Sequence, residues 1–173
     1  MFESERLTVI AGPCSLESRD MCMQVAEFAV SETLDLEIEF IFKGSFDKAN
    51  RTSADSFRGN GIDQGLSILS EIRKEFNIPV LTDVHETHQV DSVAKEVDVL
   101  QIPAYLCRQT NLIEAAIKTI GDSNYISRAL NIKKGQFLAP WDMQNVIKKL
   151  EDTGNVNILI TERGASFGYN TLV

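Results

Sequence analysis

Residues 38–58 read Ile38-Glu-Phe-Ile-Phe-Lys-Gly-Ser-Phe-Asp-Lys-Ala-Asn-Arg-Thr-Ser-Ala-Asp-Ser-Phe-Arg58. The stretch begins with an apolar run that is interrupted only by Glu39, and this pattern predicts a buried β-strand. The polar connection that follows carries four cationic residues against two carboxylates. Long polar connections after a buried strand are uncommon in compact domains and are usually functional. The alternative is a solvated loop with scattered lysines.

The chain as a whole is acidic, with 173 residues and a formal net charge of -8. A general nucleic-acid surface needs basic faces, so this composition argues against one, whereas local positive charge favours a site for a small anion. No apolar run approaches the roughly 18 residues of a membrane span, and the N-terminus lacks a secretory signal pattern. Three cysteines without paired spacing predict a reduced, cytoplasmic compartment.

Six apolar runs predict six β-strands separated by helices, within one domain of residues 1–173. Alternating strands and helices imply a parallel sheet with right-handed crossovers. Two architectures fit, an open doubly wound sheet and a (β/α)₈ barrel. Length alone favours the open sheet, because a barrel typically needs about 250 residues. The predicted strands are Leu7–Ala11, Glu39–Lys43, Val80–Val84, Val97–Pro103, Ala129–Lys133 and Asn157–Thr161.

Polar side chains collect at the carboxyl ends of all six predicted strands, where parallel α/β proteins build their sites. Lysine and arginine from separate strands can converge on phosphate or carboxylate, and an aspartate with a histidine can serve proton transfer. No glycine-rich nucleotide-binding motif follows a strand. The strand-end residues are Cys14, Lys43, Ser45, Asp83, His85, Gln101, Lys133, Glu162 and Arg163.

The cysteines and the single tryptophan have competing interpretations. A lone cysteine such as Cys14 is more often a small apolar filler than a ligand. As a thiolate it could bind a soft or borderline metal, provided that histidine or carboxylate partners join it. We predict structural roles for Cys22 and Cys107, and a packing role at a helix start for Trp141.

Motifs spread in order over nearly the whole chain resemble the 3-deoxy-D-manno-octulosonate 8-phosphate synthases, also called 2-dehydro-3-deoxyphosphooctonate aldolases. The Lys-Ala-Asn-Arg sequence at 48–51 is specific, since the sister family that makes a seven-carbon sugar acid would carry Lys-Pro-Arg-Thr there. The motifs are Ile10-Ala-Gly-Pro-Cys14, Phe42-Lys-Gly-Ser-Phe-Asp-Lys-Ala-Asn-Arg51, Ser56-Phe-Arg-Gly59, Thr82-Asp-Val-His-Glu86, Gln101-Ile-Pro-Ala104, Arg108-Gln-Thr110, Asn131-Ile-Lys-Lys-Gly-Gln-Phe-Leu-Ala-Pro140 and Thr161-Glu-Arg-Gly164.

The resemblance implies an activity and a fold. These enzymes condense phosphoenolpyruvate with D-arabinose 5-phosphate and water, release phosphate, and serve lipopolysaccharide biosynthesis. Their fold is a (β/α)₈ TIM barrel and their assembly is usually a homotetramer. The chain would then represent the first six β/α units of such a barrel, in place of the open sheet that length favours.

The resemblance also implies roles for individual residues. The proposed catalytic group is Lys48, Asp83, His85 and Lys133. The proposed substrate-binding group is Lys43, Ser45, Asn50, Arg51, Gln101, Arg108 and Arg163. Asn50 and Arg51 would receive the sugar phosphate, with Arg51 reaching from a neighbouring subunit. Cysteine at position 14 marks the metal-dependent class, so a divalent metal of the Zn, Fe, Mn or Co class is expected there.

Two departures from the family pattern shape the expectations. Only six β units are present, while the family's remaining ligands, a histidine, a glutamate and an aspartate, belong to strands 7 and 8. The chain is therefore expected to be a fragment or a truncated product. The alternative is an inactive remnant or a partner-dependent fragment that binds sugar phosphates without catalysis, and the second alternative is the related seven-carbon sugar-acid phosphate synthase. In addition, Gly121–Arg128 is longer than the family's turn, and could loop out or disturb Lys133.

Overall fold

The computed structural model of this chain describes residues 6–50, 58–125, 127–151 and 157–169. These residues fall into two compact units. The first unit comprises residues 1–83 and 96–98, and the second comprises residues 84–95 and 99–173.

The first unit contains three parallel strands and two helices. They are β1 (Leu7–Ala11), α1 (Arg19–Thr33), β2 (Ile38–Lys43), α2 (Ile62–Phe76) and β3 (Val80–Asp83). β1 pairs with β2 in parallel, from Leu7 opposite Ile38 to Ala11 opposite Phe42, and β2 pairs with β3. The hydroxyl of Ser18 accepts a hydrogen bond from Met21 N and so caps α1.

The second unit repeats the pattern with the last three strands. It contains α3 (Val90–Glu96), β4 (Val99–Ile102), α4 (Thr110–Ile120), β5 (Ala129–Lys133), α5 (Gln144–Glu151) and β6 (Asn157–Thr161). Short 3₁₀ turns lie at Thr87–Gln89, Ala104–Leu106, Ser123–Tyr125 and Pro140–Met143. β5 pairs in parallel with β4 on one side and with β6 on the other.

The order of the strands confirms the predicted barrel-type fold class. Asp98, just before β4, donates its N–H to Val80 O in β3, and Val84, just after β3, donates to Gln101 O in β4. The strand order is therefore β1 to β6 in chain order. A doubly wound sheet reverses its strand order at a switch point, and no such reversal occurs among these six strands. The described residues thus hold six strands of the (β/α) barrel type, with five α-helices between them.

Two predictions about packing are resolved differently by the structure. Cys22 and Cys107 are fully buried, which confirms their assignment to the core. Trp141 was expected to pack at a helix start, but 71% of it is exposed. It lies in the Pro140–Met143 turn, in which Met143 is the buried residue. A tryptophan at a helix start can face either way, and sequence spacing alone did not decide which.

The long Gly121–Arg128 connection folds back on its own unit. Arg128 donates from Nη2 to Lys95 O at 3.1 Å, and its guanidinium lies 5.7 Å from the centre of the Tyr125 ring. Asp122 accepts hydrogen bonds from both the backbone and the side chain of Asn124. β5 begins directly afterwards and keeps its full register with both neighbours, so the extension leaves the strand that carries Lys133 regular.

Among the described residues, no helix is both long enough and apolar enough to cross a bilayer.

Candidate functional site

The carboxyl ends of β1 and β2 are held together by a close backbone approach. A Cβ atom on Gly12 would lie 2.1 Å from Lys43 O, so only glycine fits at this position. Beyond the strands, Ser15 forms a parallel bridge with Ser45, and Leu16 N donates to Ser45 O at 3.1 Å. The exposed thiol of Cys14 therefore belongs to the segment that lies beside Ser45.

Ser45 and Lys48 are two predicted site residues of the first unit that are in direct contact. Lys48 Nζ donates to Ser45 Oγ at 3.0 Å, and Ser45 is 1% exposed while Lys48 is half-buried. Lys43 is half-buried at the last position of β2. Partial burial beside a strand end strengthens the interaction of an ammonium group with an anion, because less water screens it. This geometry suits a phosphate or carboxylate ligand.

The base of the loop after β2 is fixed by contacts between its two ends. Arg58 forms a two-point ion pair with Asp47, with 2.9 Å from Nε to Oδ1 and 3.2 Å from Nη2 to Oδ2, and accepts at its carbonyl from Lys48 N. Arg58 is one of the four cations of this stretch, and its ion pair with Asp47 holds the two ends of the loop together. Asn50 is exposed, and Arg51 lies outside the described residues.

Asp83 and His85 follow one another across the end of β3. Asp83 is the last residue of that strand and is 9% exposed. His85 is half-buried, and its N–H donates to Gln89 Oε1 at 2.8 Å. Burial of both residues at a strand end is compatible with the predicted proton-transfer role, which stays a prediction.

A chain of side-chain hydrogen bonds runs across β4, β5 and β6 in the second unit. Asn131 Nδ2 donates to Gln101 Oε1 at 3.0 Å, and Thr161 Oγ1 donates to Asn131 Oδ1 at 2.8 Å. Gln101 and Asn131 are each 2% exposed. These bonds occupy the oxygen of Gln101 and leave its Nε2 donors as the end that can meet a substrate oxygen.

Sequence reasoning did not assign Asn131 and Thr161 to the site. The available signal was alternation, because Asn131 shares a face of β5 with Lys133, and Thr161 lies opposite Lys133 in the register. Alternation places residues on a face, but it cannot show which amides and hydroxyls bond to one another. The chain of bonds fixes Gln101 on the same face of the sheet as Lys133.

Lys133 and Lys134, adjacent in the sequence, have different environments. Lys133 is half-buried at the end of β5, whereas Lys134 is 1% exposed. Lys134 Nζ donates to three backbone carbonyl oxygens, those of Gly135 at 3.1 Å and of Leu138 and Gly164 at 3.0 Å. Lys134 is therefore a buried structural group, whereas Lys133 remains a candidate for substrate binding.

Glu162 connects Lys134 to the segment that carries Arg163. Its Oε1 lies 3.3 Å from Lys134 Nζ and accepts from the backbone N–H groups of Arg163 at 2.8 Å and Gly164 at 2.7 Å. Desolvation alone would raise the pKa of Glu162, but the donors from Gly164, Lys134 and Arg163 outweigh it and hold that pKa below its ordinary value. The Arg163 side chain is exposed and forms no ion pair within the described part of the chain.

Arg108 lines a cavity of about 360 Å³. The cavity lies at the start of α4, where Lys149 Nζ donates to Thr110 Oγ1 at 3.3 Å. Two cations and a helix N-terminus face this cavity, and Asp142 is the carboxylate among its lining residues. The buried Cys107 also lines it; desolvation, only partly offset by backbone hydrogen bonds, raises the pKa of its thiol.

The donor set around Cys14 is incomplete for a metal centre. No group of three His, Cys, Asp or Glu residues able to hold a metal occurs in the part of the chain that the structure describes. A transition-metal site needs at least three protein ligands, so the described residues do not by themselves fit a metal. We therefore derive no catalytic step through a metal ion.

The structure brings several of the predicted residues into direct contact. It brings Ser45 into contact with Lys48, and it links Gln101 through Asn131 to Thr161. Lys43, Asp83 and Lys133 each occur at or next to the carboxyl end of a strand, as the sequence predicted.

Comparison with known proteins gives consistent results. A family model described as the DAHP synthetase I family matches residues 3–173. The chain is 55% identical over 172 residues to the 2-dehydro-3-deoxyphosphooctonate aldolase of Cyanothece sp.. It is 56% identical over 166 residues to the protein of that name from Rickettsia bellii, and 52% identical over 171 residues to that from Rhizobium meliloti.

The extent of these matches differs between this chain and its relatives. The alignments cover 99%, 96% and 99% of this chain, but 60%, 58% and 59% of the three relatives. The chain therefore spans somewhat under two thirds of the length of the curated relatives it matches.

Proposed function

Because this chain belongs to the DAHP synthetase I family, we propose that it acts in the condensation of phosphoenolpyruvate with D-arabinose 5-phosphate and water. The products would be 3-deoxy-D-manno-octulosonate 8-phosphate and inorganic phosphate, on the path to lipopolysaccharide. The observation that carries this proposal is the Lys48–Ser45 contact of 3.0 Å in the loop that contains Lys-Ala-Asn-Arg. The curated relatives, which are named for the octulosonate product, support the same choice.

The chemistry explains why cations should dominate such a site. A new bond joins C3 of phosphoenolpyruvate to the aldehyde carbon of the sugar, water adds at C2, and phosphate leaves from C2. Both substrates are anionic, so fixed lysine and arginine groups offset their repulsion and hold the reacting carbons at attack distance. The intermediate carries both phosphates, and preorganised cations stabilise it without reorganising.

Each unit, taken by itself, holds residues suited to binding an anionic substrate. In the first unit, Lys43 and Lys48 supply ammonium groups and Ser45 a hydroxyl for a phosphate or carboxylate. In the second unit, Gln101 offers its Nε2 donors, and Lys133 and Arg163 offer charge. Asp83 and His85 are our candidates for supplying the proton that the aldehyde oxygen gains as it becomes a hydroxyl.

The test of this proposal measures phosphate release by the 173-residue chain. We expect release from phosphoenolpyruvate in the presence of arabinose 5-phosphate, and much less with erythrose 4-phosphate. Lys48→Ala should lower kcat by about 10²-fold or more, the effect typical of losing one preorganised donor. Lys74→Ala, an exposed lysine of α2, is the matched control and should leave the rate unchanged.

Two results would contradict the proposal in different ways. Faster release with erythrose 4-phosphate would assign the seven-carbon product of the sister enzymes. Binding of phosphoenolpyruvate without release from either sugar would favour a fragment that binds sugar phosphates and does not catalyse.

A divalent metal remains a separate proposal. It is supported by the resemblance to the cysteine-containing class and by the exposed thiol of Cys14. Cys14 would supply one thiolate ligand, and the ion would need further ligands from outside the described residues. Such an ion would supply Lewis-acid polarisation of an oxygen atom.

The assembly and the compartment are also proposals. The resemblance supports a homotetramer. Three free cysteines support a reduced compartment, and we place the reaction in the cytoplasm.

A further inference from the structure

We propose that Lys134 and Glu162 are positioning residues, which hold the segments carrying Lys133 and Arg163 in place for the anionic substrate. This inference rests on the proposed function, because it concerns how phosphoenolpyruvate would be bound. It assigns no chemical step to either residue.

The first observation is the environment of the Lys134 ammonium group. A fully buried lysine is costly unless its donors are satisfied and its charge is paired. Here three N–H donors meet three backbone carbonyl oxygens within 3.1 Å, and a carboxylate oxygen lies 3.3 Å away. The group is thus fully used in the interior and has no donor left for a ligand.

The second observation is which parts of the chain Lys134 joins. The carbonyls of Gly135 and Leu138 belong to the segment after β5, while that of Gly164 belongs to the segment after β6. Ser166 N also donates to Gln136 O at 3.0 Å, so the two segments lie side by side. One ammonium group therefore ties together the connections that follow two neighbouring strands.

The third observation is the relay through Glu162 to Arg163. The same oxygen that faces Lys134 accepts the N–H groups of Arg163 and Gly164. These bonds fix the backbone from which the exposed Arg163 side chain extends. Because Arg163 forms no ion pair inside the described part of the chain, backbone placement is what orients it before a ligand arrives.

A binding arginine that is held in place loses less conformational entropy when it meets its ligand. Lys133 gains in the same way, since it directly precedes Lys134 and closes β5. The Lys134–Glu162 pair therefore preorganises two cations without contacting the substrate.

The experiment compares Lys134→Met with the unmodified chain. Methionine keeps the length and the apolar stem of the side chain but removes its donors and charge. We expect amide hydrogen exchange at Arg163 and Gly164 to accelerate. We also expect the Kd for phosphoenolpyruvate to rise by about 10-fold to 100-fold, as displacement of binding groups typically causes. The KM for arabinose 5-phosphate should change little.

Two further variants separate positioning from general stability. Glu162→Gln keeps an oxygen that accepts the two N–H groups but removes the charge, so it should fall between the unmodified chain and Lys134→Met. Lys118→Met removes an exposed lysine from α4 in the same unit and should change neither exchange nor binding. Far-UV circular dichroism and urea unfolding establish that each variant is folded at the assay temperature.

Each outcome decides a distinct point. If Lys134→Met folds and amide hydrogen exchange at Arg163 and Gly164 is unchanged, Lys134 is not a positioning residue for this segment. Accelerated exchange with unchanged Kd overturns its role in substrate binding. If the unmodified chain binds no phosphoenolpyruvate, both the proposed function and the role of Lys134 in substrate binding are wrong. The exchange result then tests only whether Lys134 and Glu162 hold the backbone at Arg163 and Gly164. If Lys134→Met does not fold, Glu162→Gln gives the same two readouts.

Discussion

At the scale of single residues, neighbours in the sequence have opposite roles. Lys133 and Lys134 are the same residue type, yet one is half-buried at a strand end and the other is 1% exposed among backbone carbonyls. Period-two alternation explains this, because successive side chains at a strand end point to opposite sides. The motif Lys-Lys therefore contains one candidate ligand and one structural cation.

The three cysteines differ in the same way and lead to a prediction. Cys14 is exposed, whereas Cys22 and Cys107 are fully buried, and desolvation raises the pKa of both buried thiols. Since the thiolate is the reactive form, a thiol reagent should modify only Cys14 in the native chain. Absorbance during labelling should show that one thiol per chain reacts rapidly in the native state. The other two thiols should react only after denaturant is added.

The control for this prediction is Cys14→Ser, which should lose the fast phase. Adding Zn²⁺ or Mn²⁺ before the reagent tests the metal proposal at the same residue, since a coordinated thiolate should react more slowly. Unchanged labelling in the presence of metal would argue against Cys14 as a ligand. Fast modification of Cys107 would show that the reagent reaches the core of the second unit, in disagreement with the burial of this thiol.

At the scale of elements, α2 illustrates how a helix supports the loop after β2. Its buried face includes Leu66, Leu69 and Ile72, in agreement with the helical spacing in the sequence. Gly65 lies on that face, and a Cβ there would be 2.4 Å from Phe46 Cβ. Phe46 is 2% exposed and immediately follows Ser45. The absence of a side chain at Gly65 thus lets α2 approach the start of the loop after β2.

Replacing Gly65 with alanine tests this contact. In an open helix position alanine would stabilise by about 0.5–1 kcal/mol. Here the clash with Phe46 should outweigh that gain and lower the free energy of unfolding by about 1–3 kcal/mol. Urea unfolding followed by circular dichroism measures the change.

The matched control is Ser67→Ala, at an exposed position of the same helix. It should alter the free energy of unfolding by no more than about 0.5 kcal/mol. A Gly65→Ala chain as stable as the control would mean that the helix shifts away from Phe46 at little cost.

At the scale of the whole molecule, stability should depend on the ionisation of Glu162. Its pKa is held below the ordinary value of 4.5 in the folded chain, despite the opposing effect of desolvation. A lowered folded pKa means that the contribution to stability is complete above the unfolded pKa and is lost as pH falls through the folded one. Glu162→Gln should therefore destabilise at pH 7, and the difference should shrink below pH 4.5.

Unfolding in urea at several pH values checks this expectation. Glu114→Gln, an exposed position of α4, serves as the control and should track the unmodified chain at every pH. The pKa of Glu71 is also lowered, mainly by its hydrogen bond from Arg19. Part of the fall in the free energy of unfolding at low pH should therefore persist in the Glu162 variant. A difference that grows as the pH falls would contradict the assigned direction.

Much of the fold was predictable because its signals are local. Apolar runs of strand length alternating with helical patterns set six β/α units, and β1, β5 and β6 have the predicted bounds. Strand ends were harder to place at β4, which is Val99–Ile102 and shorter than predicted. The apolar run there continues past the paired residues, and pairing with neighbouring strands, which is not local, ends the strand.

The sequence by itself determined the family, the alternation of strands and helices, and the residue types at the strand ends. These properties depend on spacing and composition, which the chain carries whatever its folded form. Only the tertiary structure decided that Lys134 is buried against backbone carbonyl oxygens, that Arg58 pairs with Asp47, and that Asn131 joins Gln101 to Thr161. Such contacts link residues up to 30 positions apart at hydrogen-bond distance, and no local pattern encodes which donor meets which acceptor.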